Sequence, residues 1–261
     1  MTGSYEDFKN GVYALMGIVL DGYKESQMKR RIDSLIERSG AGSYEKYYEM
    51  LVTDRKKYDE FIGFITINVS EFWRNPEQWQ LLEDKMLKYF EGNGSIKIWS
   101  AACSSGDEAY SLAMLLLEHP DMENFSIIGT DIDAKVLKVA KKGVYNKKSL
   151  GELPQNYIDK YLTQTGEDEY KVSDIVRNHV LFRQHDLLKD NYPLGFDLIV
   201  CRNVLIYFTE DAKKNIYRGF NRSLRPGGIL FLGNTEQIIN PADYGFVSVS
   251  SFFYKKVVNL Y

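Results

Sequence analysis

The stretch from Ile96 to Leu116 constrains the fold of this chain more than any other. It begins with a short apolar run, Ile-Lys-Ile-Trp-Ser-Ala-Ala, passes through Cys-Ser-Ser-Gly-Asp-Glu and ends in a long run of helix-forming residues. This order predicts a strand, a tight loop of small residues and a helix, which is the repeating unit of an α/β protein. Ligands of open α/β sheets bind beyond the carboxyl ends of the strands, so the loop is a candidate binding site.

The residues that follow Gly106 indicate which kind of ligand this loop favours. A glycine lets a ligand come close to the backbone. Asp107 and Glu108 then occupy the start of the helix, where a phosphate would meet free N–H donors. A dinucleotide site would also need three glycines around the pyrophosphate, and this loop has one. The loop therefore favours a cation or a hydroxyl-rich ligand over NAD.

Polar residues also follow two other predicted strands. Asp131 ends the second strand, where a carboxylate is placed to accept hydrogen bonds from a ribose. The strongly apolar run from Phe196 ends in Arg202 and Asn203, with Tyr207 just beyond them. These two strand tips and the loop around Gly106 should converge on one crevice. S-adenosylmethionine carries both a ribose and a positive sulfonium, which aromatic faces attract, so it fits this crevice.

The two ends of the chain differ in pattern. Residues 1–75 are predicted to be helical, and one helix within 20–39 places Met28, Ile32, Leu35 and Ile36 on one apolar face. The remainder alternates strands and helices until the rhythm breaks between residues 145 and 186. That break contains a hairpin pattern and predicts an insertion standing off the main sheet.

Composition excludes several classes of protein. The chain has 261 residues, of which 44% are hydrophobic and 26% charged, and a net charge of −3. These values are typical of a soluble globular protein, and no apolar run is long enough to cross a membrane. The first residues show no secretory signal, so a cytoplasmic location is expected. The acidic balance disfavours nucleic acid as a partner. The three histidines lack the spacing of metal ligands, so no metal is expected.

Several long motifs closely resemble those of the CheR family, the chemotaxis receptor glutamate O-methyltransferases. The resemblance covers nearly the whole chain. It implies a doubly wound, Rossmann-like methyltransferase domain over 76–261, with a small antiparallel β-subdomain inserted at about 145–185, preceded by an all-α N-terminal domain and linker over 1–75. The motifs are Thr66-Ile-Asn-Val-Ser-Glu-Phe-Trp-Arg, Trp99-Ser-Ala-Ala-Cys-Ser-Ser-Gly-Asp-Glu-Ala-Tyr-Ser, Thr130-Asp-Ile-Asp, Cys201-Arg-Asn-Val-Leu-Ile-Tyr-Phe and Leu224-Arg-Pro-Gly-Gly.

The same resemblance implies a reaction and a set of site residues. The methyl group of S-adenosyl-L-methionine would pass to glutamate γ-carboxylates of chemoreceptors, leaving S-adenosyl-L-homocysteine and a methyl ester. Arg74 would orient the carboxylate and Tyr207 would pack or hydrogen-bond beside the methyl group. The implied cofactor-binding residues are Asn68, Ser70, Arg74, Glu108, Asp131, Asp186, Leu187, Arg202 and Asn203. Ser70 stands where many members have Thr, and Asp186 where many have Asn.

The implied partner is the cytoplasmic coiled coil of a methyl-accepting chemoreceptor. Lys24, Arg31 and Arg38 recur every seven residues, which places them on one seam of a helix. We interpret this seam as a docking face for a glutamate-bearing helix. Two alternatives stay open on the sequence alone: a methyltransferase for another substrate class, and a non-catalytic module that binds S-adenosylmethionine and docks a partner.

Overall fold

The N-terminal region is a bundle of four helices. The computed structural model describes residues 3–90, 92, 94–120, 122 and 124–260. The predicted apolar face of the second helix is confirmed, because its four residues are all buried in the bundle core, where they pack with Phe8, Tyr47 and Phe61. The helices are α1 (Tyr5–Met16), α2 (Glu25–Ser39), α3 (Tyr44–Thr53) and α4 (Arg55–Ile65).

A seven-stranded sheet forms the centre of the remaining chain. Its order is β6-β2-β1-β7-β8-β10-β9; the first five strands are parallel, and β10 runs antiparallel to both of its neighbours. The strands are β1 (Ile96–Ala101), β2 (Phe125–Asp131), β6 (Val180–Gln184), β7 (Phe196–Cys201), β8 (Leu224–Leu232), β9 (Phe246–Ser250) and β10 (Phe253–Lys256). The predicted doubly wound architecture is confirmed. The strand order reverses between β1 and β7, which is where such folds bind ligands.

Six helices accompany the two sheets of this region. They are α5 (Pro76–Leu81), α6 (Asp107–Glu118), α7 (Ala134–Lys142), α8 (Gln155–Tyr161), α9 (Asp174–Arg177) and α10 (Glu210–Ser223). The sequence predicts one helix from Gln78 to Phe90. Instead α5 ends at Leu81 and continues as a π turn over Leu82–Met86 and a 3₁₀ turn over Leu87–Tyr89. This irregular winding keeps Leu82, Met86, Leu87 and Phe90 all buried in the core, which regular helical periodicity does not reveal.

A second, three-stranded antiparallel sheet accounts for the break in the rhythm. Its order is β3-β5-β4, from β3 (Val144–Asn146), β4 (Leu162–Gln164) and β5 (Glu169–Val172). Strand β6, which lies within the range predicted as the insertion, pairs with β2 and belongs to the large sheet. The Tyr145 hydroxyl donates to the Ser105 carbonyl at 2.6 Å, so the small sheet is anchored beside the loop that follows β1.

A short backbone pairing joins the helical bundle to the sheet domain. Residues 22–24 and 207–209, here called the clasp, are linked by Lys24 N–H donating to the Tyr207 carbonyl and Thr209 N–H donating to the Gly22 carbonyl, both at 2.9 Å. Between these bonds, the rings of Tyr23 and Phe208 pack with their centroids 5.0 Å apart. The clasp holds the bundle over the carboxyl ends of the parallel strands.

Across the ranges that the structure describes, no helix is both long and apolar enough to span a bilayer.

Two leucines near β7 differ in burial and should therefore differ in how much they stabilise the protein. Leu198→Ala should lower the free energy of unfolding by about 2–5 kcal/mol, because Leu198 is fully buried in a central strand and its truncation leaves a cavity. Leu194→Ala is the matched control, since Leu194 is 70% exposed, and should change it by about 0.5 kcal/mol or less. Urea unfolding followed by circular dichroism measures both. Equal losses would contradict the assigned burial.

Candidate active site

A cleft lies at the carboxyl ends of β1, β2 and β7, beneath the helical bundle. It holds about 940 Å³ of empty space, including the part open to solvent. The structure brings all ten residues that the sequence singled out as binding or catalytic to its walls: Asn68, Ser70, Arg74, Glu108, Asp131, Asp186, Leu187, Arg202, Asn203 and Tyr207. The three strand tips therefore converge as the sequence predicts.

The loops around the cleft have strained backbones. Ile67, Ala102, Ser104 and Asn203 all line the cleft and all have positive φ, from 48° to 62°. Residues with side chains seldom adopt this conformation, and it is found where surrounding contacts impose it. Half of the eight non-glycine residues with positive φ in the described part of the chain are thus at this one site.

Asp131 binds the loop that follows β1. One of its carboxylate oxygens accepts the N–H of Ser104 at 2.8 Å, and the other accepts the N–H of Asp133 at 2.9 Å. Burial outweighs these hydrogen bonds and raises the pKa of Asp131 to about 6. A carboxylate has about four lone-pair sites, so Asp131 can still accept a hydrogen bond from a ligand hydroxyl.

Asn68 and Ser70 tie the linker between the two domains to the strand tips. The Asn68 amide donates to Asp133 at 2.8 Å and to Thr66 at 2.9 Å. The Ser70 side chain lies near the carboxylate of Asp107 and lowers its pKa, but burial has the larger effect and raises that pKa. Both predicted residues therefore have a structural partner as well as a place in the cleft wall.

Arg202 is a buried cation at the end of β7. Its guanidinium donates to the Gln78 side chain at 2.6 Å and to the Arg74 carbonyl at 2.7 Å, and lies 3.5 Å from the Glu108 carboxylate. Glu108 also accepts the Ser100 hydroxyl at 2.7 Å. Burial raises the pKa of Glu108, while the positive charge of Arg202 opposes that rise. Arg202 therefore fixes the segment that carries Arg74.

Glu236 is a site residue that the sequence reasoning missed. Its buried carboxylate accepts the N–H groups of Asn203 and Leu205, both at 2.7 Å, and of Gly233 at 2.9 Å. It holds the loop after β7 as Asp131 holds the loop after β1. The sequence did contain one signal for this role: Glu236 lies just beyond the end of β8, next to the tip of the neighbouring strand β7.

Arg74 and Tyr207 both line the cleft, and both are partly buried. The Arg74 guanidinium makes one long hydrogen bond, to the Val69 carbonyl at 3.3 Å. Tyr207 ends a 3₁₀ turn, and its carbonyl belongs to the clasp. Both polar groups are therefore available to a second substrate.

A second depression adjoins the cleft at Tyr207 and is rich in cations. The two share Tyr23, Ile65, Ile67 and Tyr207, and the second is also lined by Lys24, Gln27, Met28, Arg30 and Arg31. We call it the basic depression. Arg31 is partly held in place, because it donates to the Phe64 carbonyl and packs over the Phe64 ring, as does Arg38. Lys24, directly before α2, and the exposed Arg30 are its less constrained cations.

In the described residues, no group of three or more His, Cys, Asp or Glu side chains is arranged to hold a metal ion. Cys103 and Cys201 are buried as free thiols.

Comparison with known families decides the assignment. The model for the "CheR methyltransferase, SAM binding domain" matches residues 68–253, and the model for the "CheR methyltransferase, all-alpha domain" matches residues 3–66. The chain belongs to the CheR methyltransferase family. This match confirms the predicted family, the predicted fold class and the predicted cofactor. The protein is an S-adenosylmethionine-dependent methyltransferase.

CheR-family relatives match the chain along most of its length. The chemotaxis protein methyltransferase of Listeria monocytogenes is 44% identical over 92% of each chain. The Borreliella burgdorferi protein of the same name is 34% identical over 87% of this chain and 85% of its own. Chemotaxis protein methyltransferase 1 of Pseudomonas aeruginosa is 32% identical over 92% of each chain.

The cleft of this CheR-family protein fits the cofactor. The buried Ser104 hydroxyl and the Nδ1 atom of His185 have no hydrogen-bond partner within the described ranges, and both residues line the cleft. With Asp131 and Asp186 as acceptors, the cleft offers the mixture of donors and acceptors that a nucleoside needs. When bound, S-adenosylmethionine supplies an electrophilic methyl group.

The raised pKa of Asp131 predicts that cofactor affinity depends on pH. The ionised carboxylate accepts ligand hydroxyls, so affinity is full well above a pKa of about 6 and falls below it. Lowering the pH from about 7.5 to about 5 should weaken S-adenosylhomocysteine binding by about tenfold, because about one-tenth of the group is ionised one unit below its pKa. Titration calorimetry at several pH values measures this.

The matched control for this prediction is an exposed aspartate. Asp211→Asn should keep the wild-type pH profile, whereas Asp131→Asn should bind weakly at every pH and lose the dependence. Constant affinity of the wild type across this range would contradict the assigned role of Asp131.

Proposed function

We propose that this CheR-family protein methylates glutamate γ-carboxylates on the cytoplasmic coiled coil of methyl-accepting chemoreceptors, and so acts in the cytoplasm in chemotactic adaptation. The observation that carries the proposal is the basic depression, which shares Tyr207 with the cleft that Arg74 lines and so offers an acidic substrate a path to the cleft. The names of the relatives, chemotaxis protein methyltransferases, support the same substrate class.

The side chains around the cleft suit a carboxylate nucleophile. A glutamate side chain has a pKa near about 4.3 and is already ionised at neutral pH, so transfer requires no general base. Arg74 binds and orients the carboxylate through its planar fork of donors. Tyr207 packs beside the reacting groups. Holding reactants in line can contribute about 7–11 kcal/mol, which makes orientation the main task of these residues.

The walls between the cleft and the basic depression are apolar. Ile65 and Ile67 line both spaces, and Val204 lines the cleft. A docked receptor helix would cover the open side and exclude water from the carboxylate. Loss of hydration increases the reactivity of a charged nucleophile in such a site.

Transfer of radiolabelled methyl groups tests the proposal. The full chain, a purified chemoreceptor cytoplasmic fragment and [methyl-³H]S-adenosylmethionine should give base-labile label that is released as methanol, as expected for a carboxyl methyl ester. Glu→Gln substitution at the labelled receptor positions should remove it. Base-stable label would refute O-methylation of glutamate, and S-adenosylhomocysteine binding without any transfer would favour a non-catalytic module.

The orienting role predicts that Arg74 affects turnover more than cofactor binding. Arg74→Ala should lower kcat on the receptor fragment on the order of a hundredfold, because carboxylate alignment is lost. The Kd for S-adenosylhomocysteine should rise by no more than about threefold. Arg183→Ala, at an exposed arginine on β6, is the control and should change neither. A rise in Kd without loss of kcat would contradict this role.

The basic depression predicts a charge-reversal effect on receptor affinity. Lys24→Glu combined with Arg30→Glu should raise the KM for receptor at least about tenfold, since like charges would then face the acidic helix. The Kd for S-adenosylhomocysteine should stay within about twofold of wild type. Lys46→Glu combined with Lys56→Glu, at two exposed lysines of α3 and α4, matches the number of reversed charges and should leave KM unchanged. An equal effect of both pairs would indicate nonspecific attraction.

A further inference from the structure

The helical bundle contributes one aromatic side chain to the cofactor cleft. Tyr23 lies two residues before α2, yet it lines the cleft together with Asp131 and Asp186. Burial and then the charges of Asp186 and Asp131 raise the pKa of Tyr23, which is consistent with a phenol close to both carboxylates. A residue of the N-terminal domain therefore reaches the strand tips that the sequence assigns to the nucleoside.

The clasp fixes the direction of this side chain. The backbone hydrogen bonds at Gly22 and Lys24 flank Tyr23 on both sides, and its ring packs on Phe208 at an interplanar angle of 52°. These contacts hold Tyr23 at the cleft wall.

The hydroxyl of Tyr23 has no hydrogen bond to any protein group described in the structure. Tyr23 is partly buried, and the hydroxyl of a buried tyrosine usually finds a hydrogen-bond partner. The two carboxylates nearby can only accept hydrogen bonds, so they suit the O–H and N–H donors of a nucleoside. The nucleoside also carries hydrogen-bond acceptors, namely the ribose ring oxygen and the adenine ring nitrogens, and these need a donor from the protein. The hydroxyl of Tyr23 can be such a donor.

We infer that Tyr23 is a nucleoside-binding residue, whose hydroxyl donates a hydrogen bond to the adenosine part of S-adenosylmethionine. Because Lys24 N–H bonds the Tyr207 carbonyl, the same clasp positions Tyr207 for the methyl acceptor. The clasp thus connects Tyr23, which contacts the cofactor, with Tyr207, which faces the methyl acceptor, and with the start of α2. This inference concerns the cofactor half of the site and holds for any methyl acceptor.

Tyr23→Phe in the full chain tests the inference, since it removes the hydroxyl and keeps both the ring contact and the clasp. The Kd for S-adenosylhomocysteine by titration calorimetry should rise by about threefold to tenfold, as expected for one lost hydrogen bond. The KM for S-adenosylmethionine should rise by a similar factor with kcat unchanged. The melting temperature of the ligand-free protein should stay within about 1 °C of wild type.

Tyr13→Phe is the matched control. Tyr13 is 53% exposed on α1 and does not line the cleft, so its variant should bind S-adenosylhomocysteine with wild-type affinity. A wild-type Kd for Tyr23→Phe would overturn the inference. So would a ligand-free melting temperature lowered by several degrees, which would assign the hydroxyl a structural role. A failure of the proposed function would look different from either of these outcomes. The wild-type protein would then bind the cofactor but would not label the receptor fragment.

Discussion

Two buried carboxylates hold the loops on which the active site depends. The loops after β1 and β7 turn through left-handed residues, Ser104 and Asn203, whose N–H groups would otherwise be buried without a partner. Asp131 at the end of β2 accepts the first, and Glu236 beyond β8 accepts the second. Each loop at the point where the strand order reverses is therefore fixed by a carboxylate from the strand on its outer side. The unfavourable backbone conformation persists because these hydrogen bonds are charge-assisted.

The distribution of charge separates the two halves of the reaction. Within the cleft the carboxyl groups of Glu108, Asp131 and Asp186 all have pKa values raised by burial, and the buried cation Arg202 is engaged by Glu108. This interior suits a ligand that has hydroxyl groups and a positive centre. Lys24 and Arg30 lie outside the cleft in the basic depression. In the proposed reaction, a cationic cofactor in the cleft and an anionic acceptor at the basic depression would thus meet surfaces of opposite charge.

The helical bundle is part of the active site and does more than cover it. The clasp fixes the backbone of Tyr207, and Asn68 binds the linker to Asp133. The segment just before α2 places Tyr23 in the cleft wall. Without the bundle these contacts would be lost and the site would be incomplete. This arrangement gives a physical reason for one chain to contain both the all-alpha domain and the S-adenosylmethionine-binding domain of the CheR family.

The sequence alone determined the features that depend on local pattern. The strand, loop and helix around Gly106, the carboxylate of Asp131 at a strand tip and the apolar face of α2 all follow from periodicity and from the chemistry of neighbouring residues. Parallel strands end at the same edge of a sheet, so the convergence of the tips could also be predicted. The tertiary structure alone decided the roles of Glu236 and Tyr23 and the irregular winding after α5. Those depend on contacts between residues far apart in the chain, which no short stretch of sequence encodes.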